Sequence, residues 1–347
     1  MRWIGVWTRA VVGPAWRRAV AAWIGCAIVA AVIFGPTAML PADLTGLALH
    51  DPGAGLVLGA TWLLVFVPIA RVLVRAEPAA YLRSLPGDPR SARLVTATAL
   101  IGLQLPWLVL WTWGEGPLGV AIVLANTLVI VTLASVRLPS YRTRLPAWRQ
   151  SGEALRAIHL RALRRRAGDA LVRGAGLAVL AGGAAGLLVR NNQLSGQNAG
   201  VLGASVIAIV LVPAQVGTAL VTLGAYRETA WIAAAFGIAP HTRTAALVTT
   251  IAIVHLSAAT IAVLAATAIS GANLWLPLLA FGVALGTSLG EARTMLAHAA
   301  SPSVAARVVV GAIVSAALAV VCLAVLDAAG AIAIIAIGAF SLLRTPS

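Results

Sequence analysis

Residues 244–270 decide the fold: TAALVTTIAIVHLSAATIAVLAATAIS is apolar apart from its hydroxyl side chains and His255. A helix crosses the hydrocarbon core of a bilayer in about 20 apolar residues, so this run is long enough to span a membrane. Nine other stretches have the same character, and a helix satisfies their backbone hydrogen bonds in lipid. We therefore predict an all-α polytopic integral membrane protein with about ten transmembrane helices. The predicted spans are 19–40, 53–74, 94–113, 118–136, 172–189, 200–225, 244–270, 273–290, 308–326 and 328–343.

The composition of the whole chain also indicates a membrane protein. Of its 347 residues, 61% are hydrophobic and 10% are charged, and the mean hydropathy is +0.96. An ordinary soluble domain has roughly 25% charged residues, and a soluble globule of this size cannot bury so many apolar side chains. We therefore interpret the net charge of +15 against a lipid bilayer, with membrane lipids as partners and no nucleic acid.

All 25 basic residues are arginine, and the chain contains no lysine. A P-loop requires the lysine of G-x-x-x-x-G-K, so the chain has no standard ATP-binding loop of its own. Schiff-base catalysis is excluded for the same reason. The sequence also lacks a plausible acid–base or metal-ligating cluster, so we expect no enzymatic activity, metal site or cofactor in this chain.

The arginines determine the predicted orientation. If the N-terminus is cytoplasmic, 24 of the 25 arginines fall on the cytoplasmic side of the ten spans, and Arg190 alone falls outside. This bias follows the positive-inside rule and requires an even number of spans. Both termini are therefore predicted to be cytoplasmic.

The chain is predicted to have four parts. They are an interfacial amphipathic helix (1–18), a first membrane block of four helices (19–136), a basic cytoplasmic linker (137–171) and a second membrane block of about six helices (172–347). The first part would place its apolar side chains in the lipid interface, with a cytosolic extension of the first span as the alternative. Its apolar face consists of Trp3, Ile4, Trp7 and Val11.

Another helix is predicted within the linker, from Ser151 to Arg166. Its narrow apolar stripe consists of Leu155, Ile158 and Ala162, and its arginines supply a strong positive charge. Two interpretations are open. The helix lies on anionic headgroups, where each arginine contributes about 1 kcal/mol, or it forms a docking surface for a cytosolic partner.

The final predicted pair of spans, 308–343, is too long for one helix at normal tilt. We expect the chain to fold back near Asp327, Ala328 and Gly330. A re-entrant loop is the alternative to a hairpin of two spans.

Small residues spaced four apart predict close helix packing within the membrane. The clearest examples are Gly182 with Gly186 and the series Gly282, Gly286 and Gly290.

A few polar residues lie inside the predicted spans: Gln104, Asn126, Gln215 and His255. They either line a translocation path or form hydrogen bonds between helices. No carboxylate falls near the middle of a predicted span, which argues against a proton relay and an ion-coupled pump.

The loop after the second span has a distinctive sequence, RAEPAAYLRSLPGDPRSAR at residues 75–93. Glu77 is followed by the pair Tyr81 and Leu82, then by Leu85 and Pro86. Spaced arginines, Arg90 and Arg93, lead into the next span.

This segment resembles the first cytoplasmic loop of ABC-2-type permeases, the membrane subunits of a class of bacterial ABC exporters. The resemblance implies a coupling helix that docks on a separate cytosolic ATPase, which would hold ATP and Mg²⁺. It also implies the cytoplasmic membrane of a bacterium, and a pathway completed by a second copy or a second permease. The family core usually has six spans, so the ten predicted here leave open which helices form the core.

A second coupling loop is predicted at residues 226–243. Its candidate residues are Arg227, Glu228, Trp231, Pro240 and Arg243. Because the spans contain almost no fixed charge, we expect an amphipathic or hydrophobic substrate. An ATP-independent secondary transporter and a non-transporting assembly or immunity subunit are the alternative functions.

Overall fold

The computed structural model describes residues 3–35, 40–76, 89–136 and 151–343. Within these ranges the regular structure is helical, without a β-strand. Among the described residues, seven helices are long and apolar enough to cross a membrane, and an eighth span results if two helices joined at a 56° bend count as one. The chain is therefore an all-α, multi-pass membrane protein. The count of ten spans and the location of the termini stay predictions.

The chain divides into two compact units, Met1–Tyr141 and Arg142–Ser347. In the first unit, a π-helical turn at Thr8–Val12 joins α1 to α2, so the helical backbone is continuous from Trp3 to Phe34. The helices of this unit are α1 (Trp3–Trp7), α2 (Gly13–Phe34), α3 (Pro41–His50), α4 (Pro52–Arg75), α5 (Pro89–Leu103), α6 (Leu105–Glu115) and α7 (Pro117–Ser135).

Proline and aspartate set where several of these helices begin. Proline is tolerated in the first turn, where its missing N–H would have no helical partner. In α4, the Asp51 carboxylate also accepts hydrogen bonds from the backbone N–H groups of Gly53 (2.9 Å) and Ala54 (3.2 Å). Such a cap satisfies otherwise unpaired donors and stabilises the helix by about 1 kcal/mol. The helices that begin with proline are α3, α4, α5 and α7.

The second unit contains nine helices among its described residues, 151–343. Its central member is α14, which packs against α10, α13, α15 and α16. The helices are α8 (Ser151–Arg166), α9 (Gly168–Asn191), α10 (Gly196–Ala214), α11 (Val216–Glu228), α12 (Ala230–Ala235), α13 (Pro240–Ser270), α14 (Trp275–Ala297), α15 (Val304–Leu326) and α16 (Ala329–Leu343).

Helices α9 and α13 approach closely along a glycine face, as the spacing of the glycines predicted. A Cβ atom added at Gly182 would lie 2.0 Å from the carbonyl oxygen of Ala262, and one at Gly186 would lie 2.7 Å from that of Ala266. Only glycine permits this separation of the two backbones. The contact fixes α13 against α9 over at least one helical turn.

Two interruptions shape the second unit. The predicted span 200–225 consists of two helices, α10 and α11, because Pro213 lacks the N–H of a regular helical bond and the chain turns at Gln215. The chain then reverses between α15 and α16 at Asp327, whose φ is +50°, and α15 and α16 pack against each other. The fold-back predicted near Asp327 is thus observed. That α16, which has 15 residues, crosses the membrane remains a prediction.

Contacts identify the two ends of the second unit. At one end, the loops 192–195 and 271–274 meet, because the Asn273 side-chain amide donates to the carbonyl of Gly196 (2.9 Å). At the other end, α8 packs against α11 and α13, and Arg227 donates to the carbonyl of Ala299. We call this second end the arginine-rich end.

Candidate functional site

A histidine and a glutamate form a buried pair inside the second unit. His255 Nε2 on α13 lies 2.8 Å from Glu291 Oε2 on α14, and the two side chains are 4% and 0% exposed. His255 is the midpoint of α13, which places it about 22 Å from either end of that helix at 1.5 Å per residue. Glu291 lies six residues before the end of α14 at Ala297, so the pair joins two helices that are long and apolar enough to cross a membrane.

The surroundings offer the Glu291 carboxylate no other stabilisation. Neither carboxylate oxygen accepts a well-formed hydrogen bond from any described residue. The nearest hydroxyls along α14 are turned away: Thr287 donates to the carbonyl of Val283 (2.8 Å) and Ser288 to that of Leu285 (2.7 Å). Since an isolated buried charge costs several kcal/mol, the imidazole is the group on which this carboxylate depends.

A small cavity of about 20 Å³ adjoins His255 and is lined by residues of α10, α13 and α14 and by Gln215. This volume accommodates about one water molecule. Three of the lining side chains are polar, Gln215, His255 and Thr287, and the other lining residues are apolar. A water at this position would lie beside the side chains of Gln215 and His255.

Gln215 joins the cavity to the interruption between α10 and α11. It is 3% exposed, and the Thr218 hydroxyl lies 2.6 Å from its backbone carbonyl and 3.2 Å from its side-chain oxygen. On α9, Gly174 lies beside it, since a Cβ added there would be in ordinary van der Waals contact, 3.5 Å from the Gln215 amide nitrogen. Irregular backbone at membrane depth is tolerated where it is buried in protein or lines a cavity.

At the arginine-rich end, α8 docks on its own chain. Leu155, His159 and Leu163 lie on one face of α8 and are at most 2% exposed, and α8 packs against α11 and α13. The predicted stripe is therefore corrected at Ile158, which is 39% exposed. The stripe follows an i, i+4, i+8 spacing because the buried histidine takes the middle position.

His159 is a buried titratable group outside the membrane-spanning segments. Burial lowers its pKa, and the nearby positive charge of Arg243 lowers the pKa further, against a backbone contact with Ala246 that raises it. Its ring lies 6.4 Å from that of Tyr226. The neutral imidazole is thus the form that suits the docked α8.

The loop between α11 and α13, residues 229–239, exposes two large aromatic side chains. We call it the aromatic loop. Trp231, on the short helix α12, is 71% exposed and Phe236 is 79% exposed. Exposed aromatic side chains at the end of a helical bundle are candidates for an interface, because aromatic groups dominate the energetics of interfaces.

The charged residues around the aromatic loop are engaged within the chain. Arg166 on α8 lies 2.6 Å from Glu228 and lowers the pKa of that carboxylate by hydrogen bonding. The Arg243 guanidinium lies 4.6 Å from the centre of the Tyr226 ring. Arg227 binds the carbonyl of Ala299, and Pro240 is the first residue of α13. These contacts fix the base of the loop, whereas its aromatic side chains project from it.

The structure brings together some predicted residues and separates others. Gln215 and His255 line one cavity. Gln104 and Asn126 belong to the first unit, where Gln104 is 1% exposed at the bend between α5 and α6 and accepts a hydrogen bond from Trp62 Nε1. Asn126 is half-buried on α7.

The first predicted coupling loop lies almost wholly outside the described residues. Its last two members, Arg90 and Arg93, are exposed side chains on α5. The members outside the described ranges are Glu77, Tyr81, Leu82, Leu85 and Pro86.

Sequence reasoning missed Glu291. The predicted eighth span ended at Gly290, whereas α14 continues to Ala297 and buries the glutamate completely. The sequence prediction therefore did not include this buried carboxylate, which lies six residues before the end of α14 at Ala297. The apolar residues Met295 and Leu296 after Glu291 were a signal that the helix continues.

Among the described residues, no group of three or more His, Cys, Asp or Glu side chains is placed to hold a metal ion. Comparisons with protein-family models, with curated proteins and with solved structures gave no match.

Proposed function

We propose that this chain is the transmembrane permease subunit of an ABC exporter. The observation that carries the proposal is the aromatic loop, which presents Trp231 and Phe236 at the arginine-rich end, the end predicted to be cytoplasmic. The sequence of residues 75–93 supports the same function through its resemblance to a coupling loop. The partner is a cytosolic ATPase that holds ATP and Mg²⁺, and a second copy or a second permease completes the pathway.

The connections of the aromatic loop explain how such a partner would act on the membrane helices. The loop joins the end of α11 to the start of α13. At its other end α11 begins next to Gln215, and α13 holds His255 at its centre, so both helices lead to the same cavity. A push on α12 during closure of the ATPase would therefore displace the walls of this cavity. The substrate is amphipathic or hydrophobic, because the spans contain few charged side chains.

Co-purification tests this proposal. We expect a P-loop ATPase encoded beside the gene to co-purify with the full chain, and the double substitution Trp231→Ala with Phe236→Ala to reduce its recovery at least about tenfold, since loss of a central interface aromatic costs about 2 kcal/mol or more. Leu82→Asp with Leu85→Asp should have the same effect through the first loop.

Trp113→Ala is the matched control, because Trp113 is 73% exposed on α6 in the first unit, near its predicted outer loop. Recovery of the ATPase should be unchanged in this variant. Equal recovery from all variants, or no ATPase bound to the unsubstituted chain, rejects the proposal.

A second candidate function is favoured by the buried pair. Secondary transporters place ionisable groups and interrupted helices near the middle of the membrane. Here each unit has an interruption at a buried glutamine, Gln104 or Gln215, and the second unit also contains His255 and Glu291. Transport by the purified chain in vesicles without an ATPase, abolished when a proton gradient is dissipated, would identify this function.

A further inference from the structure

We propose that His255 and Glu291 form a proton-binding site in the second unit. The role of this site in transport rests on the function proposed above. Proton binding itself depends only on the two residues and their surroundings. The 2.8 Å separation of Nε2 and Oε2 allows one proton to be shared by the two groups. With one proton, the pair has no net charge in either arrangement, imidazolium with carboxylate or imidazole with carboxylic acid.

The geometry favours a proton over a metal ion or a larger cation. A metal would need further ligands, and the hydroxyls of Thr287 and Ser288 are occupied by carbonyls of their own helix. No third acidic, histidine or cysteine side chain approaches the pair among the described residues. The space beside His255, about 20 Å³, suits one water molecule that could accept or return the proton.

The other charged groups of the packed elements lie nearer the helix ends than His255 does. Apart from His255, no titratable residue lines the cavity. On α10, no residue is titratable. The groups on the remaining elements around the pair are Glu153, Arg156, His159, Arg161, Arg164, Arg165 and Arg166 on α8; Asp169, Arg173 and Arg190 on α9; Tyr226, Arg227 and Glu228 on α11; His241 and Arg243 on α13; Arg293 on α14, followed by His298; and Arg307 and Cys322 on α15, followed by Asp327.

Release of the proton would connect the site to movement of the helices. If the proton passes to a water in the cavity, the pair becomes imidazole with carboxylate and has a net charge of −1. A buried uncompensated charge is unfavourable, so this state requires more water around Glu291 and thus a wider gap between α13 and α14. Proton binding would close this gap between α13 and α14. Displacement of Gln215 and α11 would open it.

Infrared spectroscopy of the full chain in lipid nanodiscs tests the site, with protons as the ligand. The pH difference spectrum should contain a carbonyl band of a buried carboxylic acid that is absent in Glu291→Gln. In His255→Gln the band should persist, but its midpoint should move by about one pH unit or more, because coupled groups titrate together. Glu153→Gln, on α8 outside the spans, is the matched control and should retain both the band and its midpoint.

Two results overturn the inference. If Glu291→Gln leaves the carboxylic-acid band unchanged, Glu291 does not bind the proton. If His255→Gln leaves the midpoint unchanged, the two residues do not share it. Should Glu291→Gln fail to fold, as judged by size-exclusion chromatography, Glu291→Asp replaces it, and the frequency of the band must then change. Recovery of the ATPase is expected to be normal in His255→Gln, so failure of this inference is distinguishable from failure of the docking proposal.

Discussion

At the scale of single residues, the pairing of His255 with Glu291 joins two groups that are each unfavourable alone. Among the described residues, the His255 imidazole is the only polar group that pairs with the Glu291 carboxylate. Removal of one partner from a buried pair is far more destabilising than replacement of both by apolar groups.

We therefore expect His255→Leu to lower the free energy of unfolding by about 3–5 kcal/mol. The double variant His255→Leu with Glu291→Leu should lose less free energy of unfolding than this single variant, because no unpaired carboxylate is left behind. Thermal unfolding in detergent measures both effects. Ser257→Leu, an exposed position on the same helix, is the control and should unfold like the original chain. A double variant less stable than the single one would contradict the argument.

His159 gives a prediction with a defined pH dependence. Its folded-state pKa is lowered, so below about pH 6.5, the ordinary value, the undocked state binds more protons than the docked state. Docking of α8 is therefore full above that pH and weakens as the pH falls through it toward the folded-state pKa. Hydrogen exchange of residues 151–166 should accelerate from pH 7.5 to about pH 5.5, after correction for the intrinsic pH dependence of exchange.

His159→Leu should remove most of this acceleration, since the group whose pKa is lowered by burial is then absent. The exposed His241 provides the control, because His241→Gln should preserve the acceleration. An acceleration that survives in His159→Leu would assign the pH dependence to another group.

At the scale of helices, the contact of α9 with α13 depends on the absence of a side chain at Gly182. We expect Gly182→Ala to destabilise the chain by about 1–3 kcal/mol, because the added methyl group forces two packed backbones apart. Gly224→Ala on α11 is the matched control, since no atom of another described helix lies within 4 Å of its added Cβ. There, alanine should be neutral or stabilising. Thermal unfolding of the two variants compares them directly, and equal effects would refute the close contact.

The boundaries of several helices are predicted well by the sequence. The predicted span 53–74 corresponds to α4, Pro52–Arg75, and 118–136 corresponds to α7, Pro117–Ser135. These boundaries depend on local composition alone: a long apolar run begins at a proline and ends at polar residues. The glycine spacing also predicted a close helix contact, because small residues act directly through their size.

The sequence predicts less where a residue depends on its neighbours in space. The apolar residues after Glu291 indicate that the helix continues, but they do not indicate that its carboxylate is buried, because that burial results from the packing of α14 against α13. The stripe on α8 was misplaced at Ile158 for a similar reason, because a histidine was not expected to be buried in its centre. The surroundings of Gln215 likewise depend on the fold, because the cavity that it lines is formed with residues of α10, α13 and α14.

At the scale of the whole molecule, the arginine distribution and the reversal at Asp327 lead to one test of topology. The loop 298–303 lies at the arginine-rich end, α15 leads away from it, and the chain then turns back into α16. If α16 crosses the membrane, the C-terminus is on the arginine-rich side, as the positive-inside rule requires. If α16 is re-entrant instead, the C-terminus is on the opposite side.

Fusions to the C-terminus distinguish these two topologies. We expect a fluorescent protein fused after Ser347 to be bright and an alkaline phosphatase at the same place to be inactive, because both termini are predicted to be cytoplasmic. The same phosphatase inserted in the loop 192–195, which lies at the opposite end of the second unit, should be active and serves as the control. A phosphatase active at both positions would make α16 re-entrant. It would also leave an odd number of spans, so that the arginine-rich face and the aromatic loop would no longer share a side with the C-terminus.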